Sequence, residues 1–146
     1  MYRILLATDG SEIMKKLVEE VLTIADAIKA EVTILHVIER KDFSYTARTP
    51  YTVEIKNAID EQLLDEANRI VDEAATPFRD RGLTVKTEVV DEDRSPADVI
   101  CDFASRGNYN LIAIGSRGLR GAKELFLGSV SNKVAHIGCT NVLIVR

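Results

Sequence analysis

The chain has 146 residues, the length of about one domain, and a domain of that size buries roughly 68–70% of the surface its unfolded form exposes. Hydrophobic residues make up 46% and charged residues 29%, proportions that suit a soluble globular protein. The formal net charge of -4 argues against a nucleic-acid binder, which shows a basic surplus on at least one face.

The first element is "YRILLAT" (2–8), a nearly continuous apolar run that reads as a strand buried on both faces. A helical pattern follows over 11–29, with Ile13, Leu17, Val21, Ile24 and Ile28 at intervals of four and three and Ser11 as N-cap. "EVTILHVI" (31–38) is the second buried strand. The segment 39–52 is polar, holds three aromatics and is too long for an ordinary connection, so it is either a lid or a mobile stretch. Over 53–81 the stripe is Ile55, Ile59, Leu63, Ala67, Ile70, Ala74 and Phe78. Pro77 should kink or loosen the end of that helix, and Gly82 should close it.

"LTVKTEVV" (83–90) alternates apolar with polar, as a strand near a sheet edge does. "SPAD" opens a third helix, with Ser95 as N-cap, Pro96 at the first helical position and Asp98 three residues after the cap. "NLIAIG" (110–115) and "NVLIVR" (141–146) are the fourth and fifth strands. Between them a helix starts near Ser129, turns Val130, Val134 and Ile137 inward and stops at Gly138.

Strictly alternating strands and helices predict a parallel sheet with helices on both faces. Right-handed crossovers leave few topologies, and the doubly wound strand order 3-2-1-4-5 is the expectation, as a single domain over 1–146. The crossovers after strands 1 and 4 then leave toward opposite faces. A crevice opens between the carboxyl ends of those strands, where ligands of such folds bind.

That topology brings two distant segments together. "ATDGS" (7–11) follows strand 1, with Asp9 its first acid, and Gly115 ends strand 4. Gly115-x-x-Gly118 lets the main chain turn sharply against a ligand, and Gly128-Ser129 stands where a helix N-terminus offers unpaired N–H donors to phosphate. Ser129 and Ser131 add hydroxyls, and Arg117, Arg120 and Lys123 give the stretch positive character. Singly, each of these residues also has a plain turn or cap reading. There is no GxxxxGK[ST], and no GxGxxG follows strand 1.

Other chemistry is thin. His36 lies in a strand and reads as a satisfied buried imidazole, and His136 suits the C-terminal end of a helix. Cys101 and Cys139 are far apart in sequence, without metal-ligand spacing, and read as two reduced thiols. No apolar run approaches the 18 or so residues of a membrane span. The apolar start lacks a basic leader segment and a cleavage site, so a cytoplasmic protein is expected.

The spacing Gly115-x2-Gly118-x9-Gly128-Ser129 resembles the ATP-binding signature of the universal stress protein family. "ILLATDGSE", "VTILHVIE", "NLIAIGSRG" and "LFLGSVSNKVAHIGCTNVLIVR" are similar to its other conserved-pattern segments, and the likeness is weakest over 40–82. The resemblance implies that Ala7, Thr8 and the main chain of Val37 hold adenine and that Asp9 approaches the adenosine moiety. It implies that Ile114, Gly115, Ser116, Arg117 and Gly118 follow the ribose and phosphates, while Gly128, Ser129, Val130 and Ser131 hold the phosphate tail. It also implies ATP as ligand, with Mg or Mn bridging its phosphates, and a homodimer through the C-terminal strand, Asn141 to Arg146.

Two features depart from the family pattern. The last strand lacks a preceding proline, and "DEDRSPAD" is unusually acidic after strand 3. The acids at 91–93 are expected to point to solvent at the rim. The leading functional expectation is an ATP-loaded dimer in stress response or signalling that works by binding-controlled shape or partner choice. No Walker lysine, water-orienting base or repeated acids for two metals is visible, so any hydrolysis should be slow or partner-dependent. The alternatives are an adenylyl-transferring enzyme of a related fold and a dimerisation module that binds no nucleotide.

Overall fold

A computed structural model describes residues 1–40, 53–117 and 127–146. Its elements run in order β1 (Arg3–Ala7), α1 (Ile13–Ile28), β2 (Glu31–Val37), α2 (Val53–Asp80), β3 (Val85–Val90), α3 (Pro96–Arg106), β4 (Leu111–Gly115), α4 (Ser129–Ile137) and β5 (Asn141–Val145). The five strands form one sheet in the order β3-β2-β1-β4-β5, every neighbouring pair parallel. This is the expected doubly wound arrangement.

The apolar runs explain why β1 is central. Ile4, Leu5 and Leu6 are all fully buried, because alternate side chains of a central strand enter opposite cores. Ile4 and Leu6 join α1 and α2 through Val21, Ala25, Ala74 and Phe78. Leu5 and Ala7 join α3 and α4 on the other face through Ile100, Ala104 and Val134. β3 lies at an edge and alternates half-buried with exposed residues, as its sequence pattern implies.

The helix stripes need local correction. α1 buries Met14, Leu17, Val18, Val21, Leu22 and Ala25, and Ile28, expected inside, is half exposed at the helix end. α2 is 28 residues, so it spans about 42 Å, whereas strands of five to seven residues span roughly 17–23 Å. Its first turns therefore overhang the sheet, which leaves Ile55 exposed while Ala67 to Phe78 pack. Ile137 is likewise exposed, in the last turn of α4.

Pro77 does not end α2, which continues to Asp80 before Gly82 turns the chain with φ 69°. The N–H that proline lacks costs one i→i−4 bond, to the Glu73 carbonyl, in the last turns of the helix. Glu12, not Ser11, stands at the N-cap of α1, and the Ser11 hydroxyl is buried without a hydrogen-bond partner among the described residues. Ser95 does occupy the N-cap of α3, but its hydroxyl makes no cap bond. It accepts from Lys133 Nζ at 3.1 Å instead, and the same ammonium donates to Asp98 Oδ2 at 2.8 Å, tying α4 to α3. Among the described residues, no helix is long and apolar enough to cross a membrane.

Candidate functional site

Parallel register sets three strand ends side by side. Ala7 pairs with Leu35 on one side and Ile114 on the other, so Thr8 and Asp9 leave the sheet between Val37 and Gly115. The Thr8 N–H donates to the Leu35 carbonyl at 3.0 Å. Its own carbonyl lies 2.8 Å from His36 Nδ1. A carbonyl only accepts, so Nδ1 carries the proton in that contact. His36 is thus satisfied as expected, although half-buried rather than buried.

Beyond Thr8 the chain folds back on itself. Ser11 N–H donates to Asp9 Oδ1 at 3.0 Å and Gly10 N–H to Thr8 Oγ1 at 3.2 Å, local turn bonds of the kind short polar side chains favour. Gly10 takes φ 79°, and a Cβ there would lie 2.8 Å from Ile70 Cδ1. The Asp9 turn is therefore pressed against α2.

The opposite wall is built from Ser116, only 5% exposed. Its N–H donates to the Val145 carbonyl at 2.7 Å, and its carbonyl accepts from Gly128 N–H at 2.7 Å. The start of α4 is thereby stitched to the end of β4. The first bond of the α4 ladder runs from Asn132 N–H to the Gly128 carbonyl at 2.9 Å. The N–H groups of Ser129, Val130 and Ser131 precede that ladder and carry the partial positive charge of a helix start. Ser129 and Arg117 are exposed and Val130 is half-buried. Ser131 is 2% exposed, and its hydroxyl donates to the Gly128 carbonyl at 3.0 Å. Its side chain braces the turn from within.

Gly115 has a different reason from the one its sequence position suggests. A Cβ would sit 2.5 Å from Ile13 Cγ2, so the glycine admits α1 against β4. At Gly128 a Cβ would lie 3.2 Å from the Ser116 carbonyl oxygen. Both glycines permit close approach of chain to chain. Ala7, Thr8, Asp9, Val37, Ile114, Gly115, Ser116, Arg117, Gly128, Ser129, Val130 and Ser131 all lie at or just beyond the carboxyl end of the sheet or at the α4 start. Gly118, Arg120 and Lys123 lie outside the described residues, as does most of 39–52.

The rim is charged and paired. Arg40 donates through Nε and Nη2 to the two Asp91 oxygens, at 2.8 and 2.5 Å, and through Nη1 to Asp60 at 2.6 Å. The hydrogen bond with Arg40 holds the Asp91 carboxyl below its usual range. Asp91, Glu92 and Asp93 are exposed as expected, but Asp91 is clamped by Arg40 and Glu92 pairs with Arg94. Arg40 and the Thr8 contact of His36 escape a reading of the sequence. Their partners lie 20 to 51 residues away, and no local spacing announces them.

The two thiols are closer than their spacing suggests. Cys101 is buried among the residues of α3, and Cys139 packs half-buried against the same cluster. Burial, and then hydrogen bonding with Cys139, pushes the Cys101 thiol up to about 12. Among the described residues no group of three or more His, Cys, Asp or Glu side chains could hold a metal ion.

The universal stress protein family model matches residues 1–146. Universal stress protein YxiE of Bacillus subtilis is 33% identical over 147 residues, spanning 99% of this chain and 98% of its own. The structure of MJ0577, a universal stress protein of Methanocaldococcus jannaschii, superposes with a TM-score of 0.83 at 28% identity, covering 98% of this chain and 94% of that one. A universal stress protein of Archaeoglobus fulgidus, solved in complex with dAMP, shares the fold with a TM-score of 0.71 at 20% identity, covering 100% and 98% of the two chains. The strand order and a likeness that runs from end to end agree: this chain belongs to the universal stress protein family.

Proposed function

We propose that the crevice between β1 and β4 binds an adenine nucleotide, with ATP as the cellular ligand. The observation that carries this reading is the stitch from Gly128 N–H to the Ser116 carbonyl. It sets the N–H groups opening α4 directly beside the end of β4, at the point where the strand order reverses. Ligand binding at such a point is the rule for open parallel sheets, and the fold relative from Archaeoglobus fulgidus is a dAMP complex.

The residues fit the group. The α4 start and Arg117 supply positive character for phosphates, the Asp9 carboxylate can accept from ribose hydroxyls, and the ends of β1 and β2 offer main-chain partners to an adenine edge. A divalent ion, Mg or Mn, would be held through the phosphates. The protein acts in this reading as a nucleotide-loaded homodimer in the cytoplasm, in stress response or signalling. Val142, Leu143 and Ile144 of β5 are only half-buried, and an apolar edge strand of this kind calls for a covering partner.

Denaturing the purified protein and identifying what it releases by mass spectrometry tests the ligand. Adenine nucleotide should appear, and ATP at 100 times its Kd should raise stability by about 2.7 kcal/mol. Absence of both results overturns the reading. Sedimentation should give a dimer that Ile144→Glu converts to monomer. Turnover above about one per second without a partner would instead mark an enzyme.

A further inference from the structure

We infer that His36 is a positioning residue for this site: its Nδ1–H holds the Thr8 carbonyl, and thereby the Thr8–Asp9 turn, in the place where the nucleotide is read. The inference rests on the nucleotide-binding reading and adds to it a residue that no glycine or phosphate motif contains.

Main-chain alternation along β2 is the starting point. Glu31 N–H donates toward β1, to the Tyr2 carbonyl, whereas Val32 and Ile38 N–H donate toward β3, to the carbonyls of Thr84 and Val90. Odd-numbered residues of β2 therefore face β1, and Val37 N–H faces the gap just past the last residue of β1. The Thr8 carbonyl is the main-chain acceptor that a continued ladder would bring to Val37. In this chain it receives His36 Nδ1 at 2.8 Å.

The side chain thus ties the chain that leaves β1 to β2 where the sheet stops. One consequence is geometric: Thr8 is held from two directions, by its N–H on Leu35 and by its carbonyl on His36. Asp9 and Gly10 follow from that fixed point, and the turn bonds from Gly10 and Ser11 lie on it.

The chemistry of this contact picks a tautomer. Neutral imidazole has one donor nitrogen, and here it must be Nδ1, leaving Nε2 as acceptor. An asparagine reaches to about the same distance from the backbone with its Nδ2–H, so His36→Asn preserves the donor. His36→Leu fills similar space without one.

Nitrogen NMR of the ligand-free protein, at a pH where the ring is neutral, reads the tautomer directly. The expected result is Nδ1–H, and an Nε2–H tautomer overturns the inference. Amide exchange of Gly10 and Ser11 should accelerate about 3- to 10-fold in His36→Leu and stay near wild type in His36→Asn, the range of one modest hydrogen bond. ATP affinity should follow the same order, falling about 3- to 10-fold in Leu and recovering in Asn. Equal behaviour of the two variants in exchange overturns the positioning role, whatever their melting temperatures. If the wild type binds no nucleotide but shows the Nδ1–H tautomer and the exchange pattern, the ligand assignment falls and the hold of His36 on the turn stands.

Discussion

Gly128 N–H donates to the Ser116 carbonyl at 2.7 Å, and this one main-chain bond decides where helix α4 begins relative to strand β4. The absence of a side chain at Gly128 eases that approach. Its φ of -58° suits any residue, but a Cβ would come within 3.2 Å of the carbonyl oxygen it must approach. The glycine serves a contact, not a conformation.

Gly128→Val should therefore push the α4 start away from Ser116. We expect a loss of about 1–3 kcal/mol in stability, typical of overpacking, together with loss of nucleotide affinity. Gly128→Ala should show the milder version of both. Urea unfolding and calorimetric titration with ATP measure the two effects separately. Wild-type affinity in Gly128→Val would exclude the α4 start from the binding surface.

Gly115 answers to α1. A Cβ there would lie 2.5 Å from Ile13 Cγ2, too close for any real contact. Gly115→Ala should destabilise by about 1–3 kcal/mol. Ile13→Ala removes the obstructing methyl, so the double substitution should cost less than the sum of the single ones. A double-mutant cycle in urea reads the coupling, and strict additivity would mean that the two residues do not compete for space.

Tyr109 and Thr33 form a buried polar pair across the second core, with Tyr109 Oη donating to Thr33 Oγ1 at 2.7 Å. Both residues are almost fully enclosed. Tyr109→Phe leaves the threonine hydroxyl without that donor and should cost about 1–3 kcal/mol. Adding Thr33→Val removes the orphan as well, so the double variant should recover part of the loss. Thermal unfolding of the four proteins checks this.

The Arg40–Asp91 clamp predicts an acid-sensitive rim. The guanidinium holds the folded Asp91 carboxyl below its ordinary value, which is about 3.9 in an unfolded chain. A depressed carboxyl contributes stability that is complete above the unfolded pKa and is lost as pH falls through the folded one. The stability gap between wild type and Arg40→Ala should accordingly be constant near neutrality and close below about pH 4. Both side chains are partly in water, so the gap should be small and should shrink with salt. In Arg40→Ala, the Asp91 titration followed by NMR should move up toward the ordinary value.

Much of this molecule is legible before folding is considered. Continuous apolar runs such as "ILLA" and "LIAI", short and rich in branched residues, read as strands covered on both faces, and their alternation with amphipathic helices leaves a doubly wound parallel sheet as the natural solution. The glycine spacing and the strand order together place Asp9, Gly115 and Gly128 at one crevice, because ligands of this topology have one preferred place to sit. These properties depend on local periodicity and on chain connectivity, both written in the order of residues.

Contacts across long separations are another matter. The sequence showed Ile55 and Ile28 in apolar stripes, but only the lengths of α2 and α1 against the sheet decide that their ends overhang it. Ser11 and Ser95 look like caps, yet one hydroxyl is enclosed without a partner among the described residues and the other serves Lys133. His36 reads as a core imidazole, and its role emerges only when parallel register sets it beside the Thr8 carbonyl. Arg40 has no motif at all until the ends of β2, β3 and α2 bring Asp91 and Asp60 to it. The amino-acid order determined the elements, their topology and the crevice, since those follow from hydrophobic period and handed connections. Tertiary packing alone decided which polar atoms are paired inside the protein and by what, since a hydrogen bond is settled by ångström distances that no sequence spacing carries.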